Sequence, residues 1–144
     1  MSGKIAFGLV VILLTGFASP AHAERVRLSA NLDAKKEIPP VESPATATAT
    51  VWFDKDTSMV TWDIYWTGLS GDPTAAHFHG PASKYNKAGV QVDLGGSGFV
   101  SPFRGSARLT DQQAEQLLAG QWYVNIHTAA HPDGEIRGQV LRQP

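Results

Sequence analysis

Apolar and polar residues alternate with a period of two through most of the chain, and this predicts an all-β protein. The expected architecture is an antiparallel, Greek-key-like β-sandwich or barrel with one short connecting helix. Three observations carry that expectation. Roughly seven segments show the alternation of half-buried strands. Turns rich in Gly and Pro separate them at short intervals. Only the stretch from Thr110 to Gly120 has helical spacing.

The strands follow in order. Val26, Leu28, Ala30 and Leu32 alternate with Arg25, Arg27, Ser29 and Asn31. The segment AKKEIPPVESP, Ala34–Pro44, is a connection, because Pro39-Pro40 cannot donate ladder hydrogen bonds. In the next strand Ala47, Ala49, Val51 and Phe53 share one face, and Thr48, Thr50 and Trp52 the other. The turn Asp54–Ser58 leads to Val60, Trp62, Ile64 and Trp66 on an inward face, which makes the two strands a hairpin. Short strands are expected at TAAHFHGP, at Val90–Leu94 and at Phe103–Leu109.

The helix has a start and a stop. Thr110 lies three residues before Gln113, the capping-box spacing, and Asp111 suits the positive end of the helix dipole. Ala114, Leu117 and Leu118 form the apolar stripe, and Gly120 fits the position just past the end. Two strands close the chain. Trp122, Val124 and Ile126 alternate with Tyr123, Asn125 and His127, and Ile136, Gly138 and Val140 with Glu135, Arg137 and Gln139.

The N-terminal stretch reads as a secretory signal. Lys4 supplies a positive region, Ile5–Ala18 an apolar one, and Ala21-His22-Ala23 a cleavage site. The apolar run is short for a membrane span, so no stable membrane insertion is expected after cleavage. Residues 1–23 are therefore read as the signal peptide and 24–144 as one domain, periplasmic or secreted. The formal net charge is −1, which gives no electrostatic case for nucleic acid. There is no cysteine, which excludes disulfides, zinc fingers, iron–sulfur clusters and thiol catalysis.

Histidine carries the chemistry. His77 and His79 are two apart, so on a strand they share a face, with Phe78 turned to the other. If Ile126 and Ile136 face the core, His127, Glu135 and Arg137 all lie on the outer face. The same parity lets His77, His79 and His127 cluster if their strands are neighbours. His131, in the following turn, is placed to close over such a site. Neutral imidazoles without thiolates suit copper, and less well zinc. The plainer alternative is half-exposed strand histidines bonded to backbone and carboxylates. Glu135 has two readings as well: an exposed ion pair with Arg137, or a carboxylate that orients a histidine while Arg137 guides anions. Trp52 and Tyr65 either form a partner surface or cover a sheet face under a loop.

Four stretches resemble the CHRD domain family, named after the domain first noted in chordin. They are EIPPV (Glu37–Val41), TGLSGDPTAAHFHGPA (Thr67–Ala82), LTDQQAEQLLAGQWYVNIHT (Leu109–Thr128) and PDGEIRGQV (Pro132–Val140). The resemblance implies an exported all-β domain and defines no activity. A looser likeness is to copper-zinc superoxide dismutase, with its His-x-His strand, a later histidine and a late arginine, for which His77, His79, His127 and Arg137 are comparable. The bridging histidine, zinc ligands and cysteines of that enzyme have no counterparts. Three functions follow as expectations: a copper-binding carrier or buffer using His77, His79, His127 and His131; a metal-free module binding an extracytoplasmic protein partner; and a dismutase-like redox enzyme.

Overall fold

A computed structural model describes residues 24–144. The signal segment expected at residues 1–23 lies outside these described residues. The elements, in chain order, are β1 (Arg25–Asp33), a 3-10 turn (Ala34–Lys36), β2 (Thr46–Asp54), β3 (Met59–Thr67), β4 (Pro73–His79), β5 (Val90–Gly95), β6 (Phe103–Arg108), α1 (Asp111–Leu118), β7 (Trp122–Thr128) and β8 (Ile136–Arg142). The eight segments named from the alternation all form strands, against the rough count of seven. They form one antiparallel sheet in the order β5-β4-β7-β8-β1-β2-β3-β6. The sheet curls into a nearly closed barrel. Trp62 on β3 meets Phe78 on β4 edge to face at 5.7 Å, although four strands stand between theirs in the sheet.

The inward faces are those of the alternation. Ala49, Val51, Val60, Ile64, Phe78, Val124, Ile126, Ile136 and Val140 are fully buried. Ile126 and Ile136 lie opposite each other across the last hairpin. Gly105 on β6 leaves room for the Trp62 ring, which a Cβ there would strike. Helix α1 begins with a complete capping box: Thr110 accepts from the Gln113 amide, and the Gln113 side chain accepts from the Thr110 N–H. Gly120 ends it at φ +72°, a conformation open to glycine. Leu117 seats the helix on the core.

One feature departs from simple alternation. All seven residues of β7 are buried, so both of its faces are covered. The outer face lies beneath the segments around Glu37, Ser70 and Ala88. Polar side chains that an open sheet face would leave in water are therefore enclosed, and each must find a partner.

Candidate metal centre

Strands β4 and β7 bring three histidines together. His77 lies opposite Asn125 and His79 opposite Tyr123 in the antiparallel pairing. His127 is two residues past Asn125 and shares its face. His77 Nδ1 is 3.1 Å from His127 Nε2. Each ring offers one nitrogen, and no pair of the three exceeds 4.8 Å. Ligands ~2 Å from one metal sit ~3.3 Å apart, so a small inward movement of the rings would close the set.

Proton accounting shows what this cluster lacks. A neutral imidazole carries one ring proton, and a carbonyl oxygen only accepts. His79 Nδ1 therefore donates to the Ala88 carbonyl (3.0 Å), and His127 Nδ1 to the Pro132 carbonyl (2.9 Å). Both Nε2 atoms are left with lone pairs. Both lie 3.0 Å from Asn125 Oδ1, another acceptor. The Nδ2 end of the Asn125 amide lies on the Glu37 side, where both groups approach Gly134. Of the four groups only His77 can lend a proton to the centre. Three nitrogens and an amide oxygen thus converge with too few protons between them, an arrangement that one cation would satisfy.

The supports beyond the ring nitrogens are stacked. The Tyr123 ring lies parallel to His79 at 4.8 Å, and Arg137 Cζ sits 3.5 Å over the same Tyr123 ring. The Tyr123 hydroxyl donates to the Ala88 carbonyl (3.3 Å) and accepts from its N–H (3.2 Å), fixing the carbonyl that orients His79. Burial, with smaller effects of His127 and His79, holds the His77 imidazole below its ordinary pKa; Asp93 partly offsets this. Burial also holds His79 low, against hydrogen bonds to Ala88 and Asn125 that raise it. Both rings are therefore neutral near pH 7, the state in which imidazole is a ligand.

Glu37 is 5% exposed, and burial pushes its carboxyl up, with Arg137 and Asn125 offsetting part of the effect. Its Oε1 has no hydrogen-bond partner among the described residues. Gly134, at φ +124°, permits the approach of this carboxylate and the Asn125 amide; a Cβ there would collide with both.

The remaining residues singled out from the sequence stand elsewhere. His131 is outside the group of three; its carbonyl accepts from Gly134 N–H at 3.1 Å within the turn, and it is Pro132 that touches His127. Glu135 was expected exposed beside a histidine or paired with Arg137, and it is neither. Its carboxylate is fully buried and accepts from Ser43 Oγ (2.6 Å), Ser70 N–H (3.0 Å), Ser70 Oγ (2.7 Å) and Thr128 Oγ1 (2.6 Å). Arg137 was expected as a solvent-facing cation, yet it is 2% exposed. It donates to the carbonyls of Ser83 (3.3 Å) and Asn86 (2.7 Å). The loops that cover β7 explain all three differences. Tyr65 is half exposed and accepts from Arg104 (3.1 Å) on the opposite side of the barrel.

Sequence reasoning missed Asn125, Tyr123 and Glu37. The first two had a signal, since Tyr123, Asn125 and His127 share one face of β7 by period-two spacing. Glu37 had none, because only the path of a loop brings it there.

A family model for the CHRD domain matches residues 28–140, most of the chain. The chain belongs to the CHRD domain family. No curated protein and no solved structure matches it. His77, His79, Asn125 and His127 all fall inside the matched CHRD domain, as do Glu37, Tyr123 and Arg137.

Proposed function

We propose that this CHRD domain is an exported copper carrier or buffer that binds one Cu(II) through His77, His79 and His127. The observation that supports the reading is the surplus of lone pairs at the cluster: two Nδ1–H groups are committed to backbone carbonyls, and both Nε2 atoms face one amide oxygen. Asn125 Oδ1 is the fourth donor. Backbone carbonyls that fix the far nitrogen of a ligating imidazole also set its tautomer and orientation.

Copper is favoured over zinc because nitrogen and oxygen donors without thiolate follow the usual affinity order, in which Cu(II) exceeds Zn(II). Zinc is the expected weaker competitor. A carrier is favoured over a dismutase because Arg137 is enclosed and committed to loop carbonyls, and so does not serve to draw an anion in. The signal-like N-terminus, read from the sequence, is what supports export.

Titration calorimetry of the purified protein at neutral pH tests the reading. The expected result is one Cu(II) per chain with a nitrogen-rich paramagnetic resonance spectrum, and loss of uptake in His77→Ala/His79→Ala. His131→Ala should leave affinity nearly unchanged. No stoichiometric uptake of either metal would sink the reading and favour a metal-free interaction module.

A further inference from the structure

We propose that a second site, the cleft between the Lys35–Pro40 segment and the Lys84–Tyr85 loop, binds an amphiphilic organic anion: an acidic head carried on an apolar body. The cleft has a volume of ≈ 630 Å³, within the range of small-molecule sites. It contains none of the three histidine rings and shares only Glu37 and Arg137 with the residues around them.

Its walls divide by chemistry. Ser29 and Asn31 of β1 and Gln139 of β8 line it with polar side chains. Ile38, Pro40 and the half-exposed Leu141 supply apolar surface. Lys35 and Lys84 stand at the cleft, and Lys84 Nζ lies 5.0 Å from the ring centroid of Tyr85, which is 75% exposed. Lys36 is already held by Asp33 at 2.9 Å. Neither Lys35 nor Lys84 forms an ion pair with a carboxylate among the described residues. Among the described residues the one carboxylate lining the cleft is Glu37, which is buried. The chain as a whole carries −1, so this excess of positive charge is local.

Both walls are preformed. Arg137 pins the carbonyls of Ser83 and Asn86, the two residues that bracket Lys84 and Tyr85. Ser83 Oγ donates to Asn86 Oδ1 across the same turn at 2.8 Å. On the other wall the N–H groups of Glu37 (3.2 Å) and Val41 (3.0 Å) both donate to the Ala34 carbonyl. A ligand therefore pays little ordering entropy on entry. Its acid group is drawn by two exposed ammonium groups, and its body covers Ile38, Pro40, Leu141 and the Tyr85 face.

Two fluorescent probes of one shape separate charge from hydrophobicity: 8-anilinonaphthalene-1-sulfonate and the neutral N-phenyl-1-naphthylamine. The sulfonate should bind once per chain and clearly tighter than the neutral dye. Lys35→Gln/Lys84→Gln should weaken the sulfonate about tenfold and leave the neutral dye unaffected, since two partly solvated charges are worth about that much. Raising salt from about 50 mM to about 500 mM should weaken the sulfonate alone. Tyr85→Ala should weaken both dyes a few-fold. All three side chains are exposed, and unchanged melting curves would verify that the variants fold. Equal affinity for the two dyes, sulfonate binding that ignores the lysine pair, or no saturable binding would each overturn the proposal.

Discussion

Two polar clusters lie on the β7–β8 hairpin, and they are built on opposite rules. In one, Glu135 is an acceptor met by four donors from Ser43, Ser70 and Thr128. In the other, His79, His127 and Asn125 aim acceptors at one another. Both clusters are enclosed by loops. The first is complete as it stands, and it ties the Ser43 and Ser70 loops to the hairpin. The second has more acceptors than protons to share among them. A buried polar group that is fully satisfied reads as structure, and one that is not reads as a place for something else.

The comparison breaks most visibly in stability. Glu135→Ala removes the common acceptor of four buried or part-buried donors, and should cost about 3–5 kcal/mol in denaturant unfolding. Ile126→Ala, on the apolar side of the same hairpin, sets the scale at about 2–5 kcal/mol. His77→Ala/His79→Ala should change metal-free stability by less than about 1 kcal/mol, since little net bonding is lost. An unfolding series in which the histidine pair costs as much as Glu135 would show that the two clusters are alike.

Thr128→Ala sharpens the first cluster alone. Its hydroxyl is buried and donates to Glu135 at 2.6 Å, so a loss of about 1–2 kcal/mol is expected. Metal uptake by the folded variant should be unchanged. A neutral effect would mean that Ser70 Oγ, which already donates to the same oxygen at 2.7 Å, is enough for it.

Much of this was legible before the fold. Period-two spacing placed Ile126 and Ile136 inward and put His77, His79 and His127 on compatible faces, because side-chain parity is local. Strand order is not local, so the pairing of β4 with β7 needed the structure. The exposure of Glu135 and Arg137 was misjudged for a related reason. Alternation tells which face a residue takes, and it says nothing of a loop folded over that face. Burial then reverses the expected chemistry: Arg137 becomes a clamp on Ser83 and Asn86 rather than a lure for anions.

Acid should dismantle the two clusters in separate windows. His77 and His79 have folded pKa values below the ordinary 6.5, so the unfolded chain binds protons more readily. Their contribution is present above pH 6.5 and is lost as pH falls from there toward the depressed folded values. For Glu135, burial raises the carboxyl, but the bonds from Ser43, Thr128 and Ser70 outweigh it and hold the pKa below 4.5. Its contribution persists to about pH 4.5, the ordinary carboxyl value, and fails below it. Unfolding free energy measured against pH should therefore fall in two steps. His77→Ala/His79→Ala should erase the upper step and Glu135→Gln the lower. A single step shared by both variants would merge the clusters.

Nitrogen-15 spectra of the imidazole rings, recorded above pH 7 with and without one equivalent of diamagnetic Zn(II), test the lone-pair surplus most directly. Metal-free protein should show His79 and His127 as Nδ1–H tautomers with unprotonated Nε2 atoms. Zinc should shift those two Nε2 resonances and one nitrogen of His77, leaving His131 in place. Nε2–H tautomers at His79 and His127, or spectra that do not respond to zinc, would contradict the account.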